Sequence, residues 1–292
     1  MDNIVIEEEI DPVDTGAIFL GKPIEINDSI TIHIPTLKEV LEVGQDKYMG
    51  TVRTICATPT DIKWQLYDKF KIYWHEIGEY DCFLNFLSIS IDNDISRLIF
   101  GEDFDFRKMK KVYDENIKEY VLVQQIFKVR EEILPINENM KQKLIQQNKP
   151  LPSKQVVEKN YQIRIDRFVY NKIVNTLRVA HFLTKNTSIP GNKFMIELAL
   201  DMAKEEYEEA KQKKKENSQG TIEKIISYLV VEGVGNYNLE SIQSLNMYTL
   251  FALFKQSLRN KRIDLLQTSG YSGFGIDLKK VNKKDLDYLG DE

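Results

Sequence analysis

Ile165, Val169, Ile173, Leu177, Ala180 and Leu183 recur every three or four residues. That period fits an α-helix with one apolar face, because 3.6 residues complete a turn. A chain carrying such a stripe has to supply a second apolar surface to cover it. Most of the sequence downstream offers one in the same period. One helix is expected from about Val156 or Gln162 to Leu183, before Ile189-Pro-Gly-Asn192 breaks the chain. A second is expected from about Asn192 to Glu216, closed by Asn-Ser-Gln-Gly, and Thr221 opens a third. A fourth opens at Asn238 or Ser241 and reaches about Leu266. Met247, Tyr248, Leu250, Phe251, Leu253 and Phe254 make it apolar nearly all round, so it is expected to be buried, in its own core or against another chain.

The N-terminal part starts differently. Ile24 and Ile26, then Ile30, Ile32 and Ile34, alternate with polar residues around Asn27-Asp28-Ser29, which predicts a β-hairpin. Pro35 ends it. Thr36 with Glu39 three residues later forms a capping box, so a helix should follow. The pattern then stays helical to about residue 100. Thr60 and Asp61 can cap a helix carrying Trp64, Leu66, Phe70 and Trp74, whose aromatics read as core. Phe104 and Phe106 alternate with charge and suggest a short strand. Residues 119–127 suit strand or helix and are assigned to helix. Pro135, Pro150 and Pro152 among Gln, Asn and Lys mark a polar connector.

The expected organisation is a flexible acidic arm over 1–16, a β-hairpin plus helical domain over 17–134, the connector over 135–155, and a helical domain with a C-terminal tail over 156–292. The expected fold class is mainly α with a small N-terminal β-hairpin (α+β), built of helical domains without a parallel sheet.

Chemistry is harder to find. Among 292 residues there are three histidines and two cysteines, none at metal-ligand or nucleophile spacing. Asp92-Asn-Asp94-Ile-Ser96 starts like a calcium loop, but Arg97 stands where the loop needs glycine and Asp103 where it needs glutamate. A turn that caps a helix is the better reading. Glu102, Asp103 and Asp105 read as an acidic surface turn. His75 reads as a packed residue, with no orienting partner for a pairing with Cys82. His181 reads as a helix-end histidine favoured by the dipole. Gly270–Gly275 lacks the Lys-Ser/Thr of a phosphate loop. No catalytic residue, metal ligand or cofactor is therefore expected, and the chain is read as a non-enzyme. The acidic N-terminus does not resemble a secretion signal, and no apolar run approaches the ~20 residues of a membrane span. Two cysteines suit a reducing compartment.

Two features point to partners. Arg164, Arg167 and Arg178, with Asn171 and Asn175, fall on one side of the expected 163–183 helix, where they could grip phosphates or an acidic partner. The net charge of −5 favours a solvated face over a nucleic-acid site. The helix near 204–216 passes from glutamates to lysines and loses its apolar residues after Met202, leaving mainly Tyr207. It is expected to project into solvent or meet a partner. Tyr271 and Phe274, interleaved with glycines, are the candidate partner-contacting aromatics beside Tyr207.

The hairpin from Pro23, then Ile34-Pro-Thr-Leu-Lys-Glu-Val-Leu-Glu42 and Gly44-Gln-Asp-Lys-Tyr48, resembles the opening of tail-morphogenesis proteins from tailed bacteriophages of Gram-positive hosts. So do Asn246-Met-Tyr-Thr-Leu-Phe251, Ser269-Gly-Tyr-Ser-Gly273 and Ile276–Leu286 near the other end. The resemblance covers roughly a third of the chain, and 60–235 adds nothing specific to it. It implies a helical tail assembly chaperone that holds the tape-measure protein soluble while tail-tube subunits polymerise around it. Such a protein would work in the host cytoplasm, without cofactor, membrane or nucleic acid. The length of the chain leaves room for the alternative of a structural tail or connector protein of the virion. A nucleic-acid-binding module using the Arg164–Arg178 face and an enzyme built from scattered acids are the readings from other classes.

Overall fold

The computed structural model of the chain describes residues 12–132, 155–213, 221–271 and 280–288. Among them the fold is mainly α, with two small antiparallel sheets and no parallel sheet. The hairpin forms where the alternation placed it. β1 (Ile24–Asn27) pairs with β2 (Ile30–Ile32), and the Asn27 side chain accepts from the Ser29 amide at 2.9 Å to close the turn. Just before it, Asp14 caps α1 (Thr15–Phe19), whose Ile18 is fully buried. Residues 1–11 of the expected arm lie outside the described residues.

Thr36 and Glu39 build the capping box of α2 (Leu37–Val43), with the Thr36 amide 2.8 Å from Glu39 Oε2. Gly44, at φ 93°, turns the chain directly into α3 (Gln45–Cys56), a backbone angle that a side chain disfavours. The next cap is Thr58 with Asp61, not Thr60, and it starts a 3-10 turn, Pro59–Ile62, that leads into α4 (Lys63–Phe70). Lys71 in the left-handed region stops α4, so Trp74 lies on a separate turn instead of the same helix. Leu66 and Trp74 are core, Trp64 is half-buried, and Phe70 is exposed. A short α5 (Glu79–Cys82) runs into a π-helical turn, Phe83–Leu87, and Asp92 caps α6 (Asn93–Phe100).

The second sheet corrects three expectations. Phe104 lies outside regular structure and Phe106 on a 3-10 turn, and both are buried in an aromatic group with Phe100. The strand comes just after them, as β3 (Lys110–Asp114). Residues 119–127 belong to β4 (Glu119–Glu132), not to a helix. The stretch expected to start the long helix is β5 (Gln155–Ile165). The order is β3-β4-β5, all antiparallel, with Leu122 opposite Ile165 and Glu132 opposite Gln155. Val121, Val123 and Ile126 are β-branched, and Leu122, Gln124 and Ile126 face the core at period two. Tyr80 pins α5 to this sheet by donating to the carbonyls of Tyr120 and Ile165, each at 2.9 Å.

Asp166 then caps α7 (Arg167–Ala180), which carries the apolar stripe into the core against α3. Tyr170, Ile173 and Leu177 join Ile55 and Phe83 in one hydrophobic cluster, so residues from both sides of 135–155 share a core. Three helices complete the described chain: α8 (Lys193–Lys213), α9 (Thr221–Val231) and α10 (Met247–Tyr271). α8 packs on α4, and α9 packs on α10. None of the described helices is long and apolar enough to cross a membrane.

Candidate functional site

Two segments some two hundred residues apart in sequence meet. The Leu37 amide donates to the Leu245 carbonyl at 2.7 Å, and Thr36 and Asn246 form an antiparallel bridge. Asn246 is buried and uses both ends of its amide. Its Oδ1 accepts from the Thr249 amide at 2.9 Å, capping α10, and its Nδ2 donates to the Ile18 carbonyl at 2.7 Å. Thr249 adds a bond to the Phe19 carbonyl at 3.2 Å. The Asn246 side chain thus fixes the first turn of α10 against α1, while the backbone at 245–246 holds it to the entry of α2.

The ionisable groups are mostly committed to the fold. His181 follows the last turn of α7 and is completely buried. Its Nε2 lies 2.7 Å from the Tyr48 hydroxyl and its Nδ1 lies 2.8 Å from the Leu177 carbonyl. Burial lowers its pKa from 6.5 to about 4, with only partial relief from the Leu177 carbonyl. The expected role, a cationic histidine favoured by the helix dipole, is therefore corrected: desolvation wins and the ring is neutral at pH 7. Cys56 and Cys82 are both buried, which pushes each thiol up to about 12. His75 is exposed on a short 3-10 turn, tilted against Tyr73 and edge-on to Trp74, not packed within a long helix.

The acidic candidates have internal partners as well. Lys47 Nζ sits 3.1 Å from both Asp92 and Asp94. Burial raises the Asp92 pKa, but the bond from Lys47 and the amides of Ile95 and Asp94 outweigh it and hold it below the ordinary carboxylate range. The 102–105 turn is not a plain surface turn. Asp105 is buried and accepts from the Arg107 amide at 2.9 Å, while Tyr161 donates to Asp103 at 2.9 Å. Among the described residues, no group of three or more His, Cys, Asp or Glu is placed to hold a metal ion.

The three arginines do not form one helical stripe. Arg164 lies on β5 and pairs with Asp114 at 2.6 Å. Arg167 opens α7 and bridges Glu119 at 3.0 Å and Asp81 at 3.3 Å. Arg178, in the last turn, pairs with Glu79 and donates to the Cys56 carbonyl at 2.6 Å. Each guanidinium already faces a carboxylate, so a phosphate would have to displace one.

Several large apolar or aromatic side chains among the described residues are exposed. Tyr271 is the last residue of α10 and is exposed, and Tyr207 is exposed on α8 with Lys211 Nζ 5.5 Å from its ring centre. They lie on different helices, and Phe274 lies outside the described residues. A larger feature is Phe194, Met195, Leu198 and Met202, all exposed on α8. Their spacing of four residues from 194 to 202 is helical, so the sequence carried the signal. From the sequence this helix is expected to meet solvent or a partner, but through Tyr207 and not through this stripe. Comparison with family models, curated proteins and solved structures finds no match.

Proposed function

We propose that this chain is a non-catalytic protein-binding factor of tailed-bacteriophage tail assembly, which acts in the host cytoplasm and holds the tape-measure protein soluble while tail-tube subunits polymerise around it. One observation carries the reading. Ile34–Glu42 and Asn246–Phe251 resemble tail-morphogenesis proteins, and they stand some two hundred residues apart in sequence. In the fold they form one unit, through the Thr36–Asn246 bridge and the Leu37–Leu245 hydrogen bond. A shared pattern that converges on a single structural junction is better support than two unrelated stretches would be. The exposed apolar faces of α8 and α10 suit a protein whose work is binding. The carboxylates paired with Arg164, Arg167 and Arg178 count against the nucleic-acid reading.

The test is co-expression with the tape-measure protein of the same phage. The expected result is a soluble complex containing both, with the chain absent from purified particles. Recovery of the chain from purified particles, with no effect on tape-measure solubility, overturns the chaperone reading in favour of a structural tail or connector protein.

A further inference from the structure

α8 has two apolar faces. Ile196, Leu200 and Ala203 lie on the side turned toward α4. Phe194, Leu198 and Met202 project about 180° away at 3.6 residues per turn. They are 69%, 41% and 53% exposed, and Met195 beside them is 46% exposed. Single exposed apolar residues need no explanation, but four on one stripe do. Between Phe194 and Glu209 the helix also holds six carboxylates against one lysine. Asp201, Glu205 and Glu206 make no ion pair among the described residues. Whatever covers this stripe gains from being both apolar and basic.

α10 offers such a face. Leu258 and Leu265, two turns apart, are 45% and 71% exposed. With Lys261, Arg262, Leu266 and Ser269 they line a shallow depression of about 570 Å³. From Lys255 to Leu266 there are four cations and one carboxylate. Lys255 and Arg259 have partners within the chain, Arg259 donating to the Asp287 carbonyl at 2.8 Å. Lys261 bridges Glu232 at 2.7 Å and Arg262 reaches Asp285 at 3.8 Å, but these two side chains stay 46% and 69% exposed, more open than the Arg178 pair, and keep N–H donors turned to solvent.

We propose that α8 of one copy of this chain packs on α10 of a second copy. The apolar stripes bury each other, and the acidic flank of α8 faces the basic flank of α10. Opposite charge sets the register and disfavours α8 on α8 or α10 on α10. The contact joins two different surfaces of the chain, so it is heterologous. Every bound copy keeps one half free, and assembly continues into a ring or a filament. Two helix faces make a small interface, so association is expected at roughly micromolar concentrations. This proposal does not depend on the phage reading and stands or falls separately.

The test uses the full chain and two variants, Leu198→Glu with Met202→Glu, and Leu258→Glu with Leu265→Glu. All four positions are exposed, and circular dichroism with thermal unfolding checks that each variant is folded. In sedimentation analysis between about 1 and 100 µM, the wild type is expected to grow beyond the monomer and each variant to stay monomeric. An equimolar mixture of the two variants is expected to form a one-to-one complex and stop there, since each retains the half that the other lacks. Raising salt from 0.1 to 0.5 M is expected to weaken wild-type association about threefold or more. A wild type that remains monomeric at 100 µM overturns the proposal. A mixture that remains monomeric also overturns it. Loss of association in only one of the two variants does so as well; loss confined to the α10 variant would leave the α8 stripe to a different protein.

Discussion

His181 makes the stability of this fold depend on pH in a window that few other groups share. Its pKa is about 4 in the folded chain against 6.5 in the open, because burial disfavours the charged ring. Between those values the unfolded chain binds the proton and the folded chain does not. Stability is therefore complete above pH 6.5 and falls as pH drops toward 4. The whole shift corresponds to roughly 3 kcal/mol, of which about 2 kcal/mol is already lost at pH 5. The other two histidines, His33 and His75, are exposed. Asp92 and Asp114 are held below the ordinary carboxylate range, so they titrate beneath this window. Urea unfolding followed by the fluorescence of Trp64 and buried Trp74 measures the effect at pH 7, 6 and 5. The wild type is expected to lose about 2 kcal/mol from pH 7 to 5. His181→Gln is expected to be less stable at pH 7, because it disturbs the bond to Tyr48. It should then lose less than about 0.5 kcal/mol over the same range, because the titrating group is gone. A wild type with flat stability from pH 7 to 5, or a variant with the same slope, refutes the buried neutral ring.

Four further outcomes follow from the geometry. Asn246→Ala leaves the Thr249 amide without its cap and the Ile18 carbonyl with the Gly21 amide alone, and should cost about 2 kcal/mol in urea unfolding, against about 1 kcal/mol for Thr36→Ala, which loses only a cap. Arg178→Ala leaves the half-enclosed Glu79 with Lys185 alone, at 2.9 Å, and removes the donor to the Cys56 carbonyl; it should cost about 2 kcal/mol, whereas Arg164→Ala, at a more open pair, should cost under about 1 kcal/mol. Cys56 and Cys82 should react with a thiol reagent such as Ellman's only after denaturation, since both are buried with raised pKa values. Tyr271→Ala should change stability by less than about 0.5 kcal/mol, because the ring is 83% exposed. Any effect of that variant on protein capture then reports binding.

The elements legible in the sequence were those whose signals agreed at every level. The isoleucine alternation around Asn27–Ser29 and the Thr36–Glu39 box each led to the observed element, and the stripe from Val169 to Ala180 marks α7. The three-stranded sheet was missed for an identifiable reason. In β4 the core-facing set is Leu122, Gln124 and Ile126, and a glutamine in the middle erases the alternation. Gln124 is tolerated there only because its amide bonds the Asp103 carbonyl at 2.8 Å and accepts from the Asp105 amide at 3.0 Å. Those partners lie some twenty residues away, and no local pattern reports them. Assigning β4 to helix also hides its pairing with β5, so Ile165 reads as the start of the helical stripe instead of the end of a strand. That error placed Arg164 on a helix face it does not occupy. The Tyr48–His181 contact joins residues 133 apart, and its chemistry follows from burial that composition cannot express.

The C-terminal helix explains why a single stretch can read as both core and interface. Met247 and Leu250 are fully buried, and Asn246 locks their end of α10 to α1 and to the entry of α2. Toward the other end Ile263 is still buried, but Leu258, Leu265 and Tyr271 are not. Burial falls along the helix because the core ends before the helix does. α8 repeats the arrangement crosswise, with one face held by α4 and the opposite face open. In both helices the side that packs inside the chain fixes the orientation of the side that does not. Each exposed stripe is thus presented on a rigid element, so covering it costs little ordering entropy. That preorganisation lets a small contact between copies, or with a client helix, form without remodelling the fold.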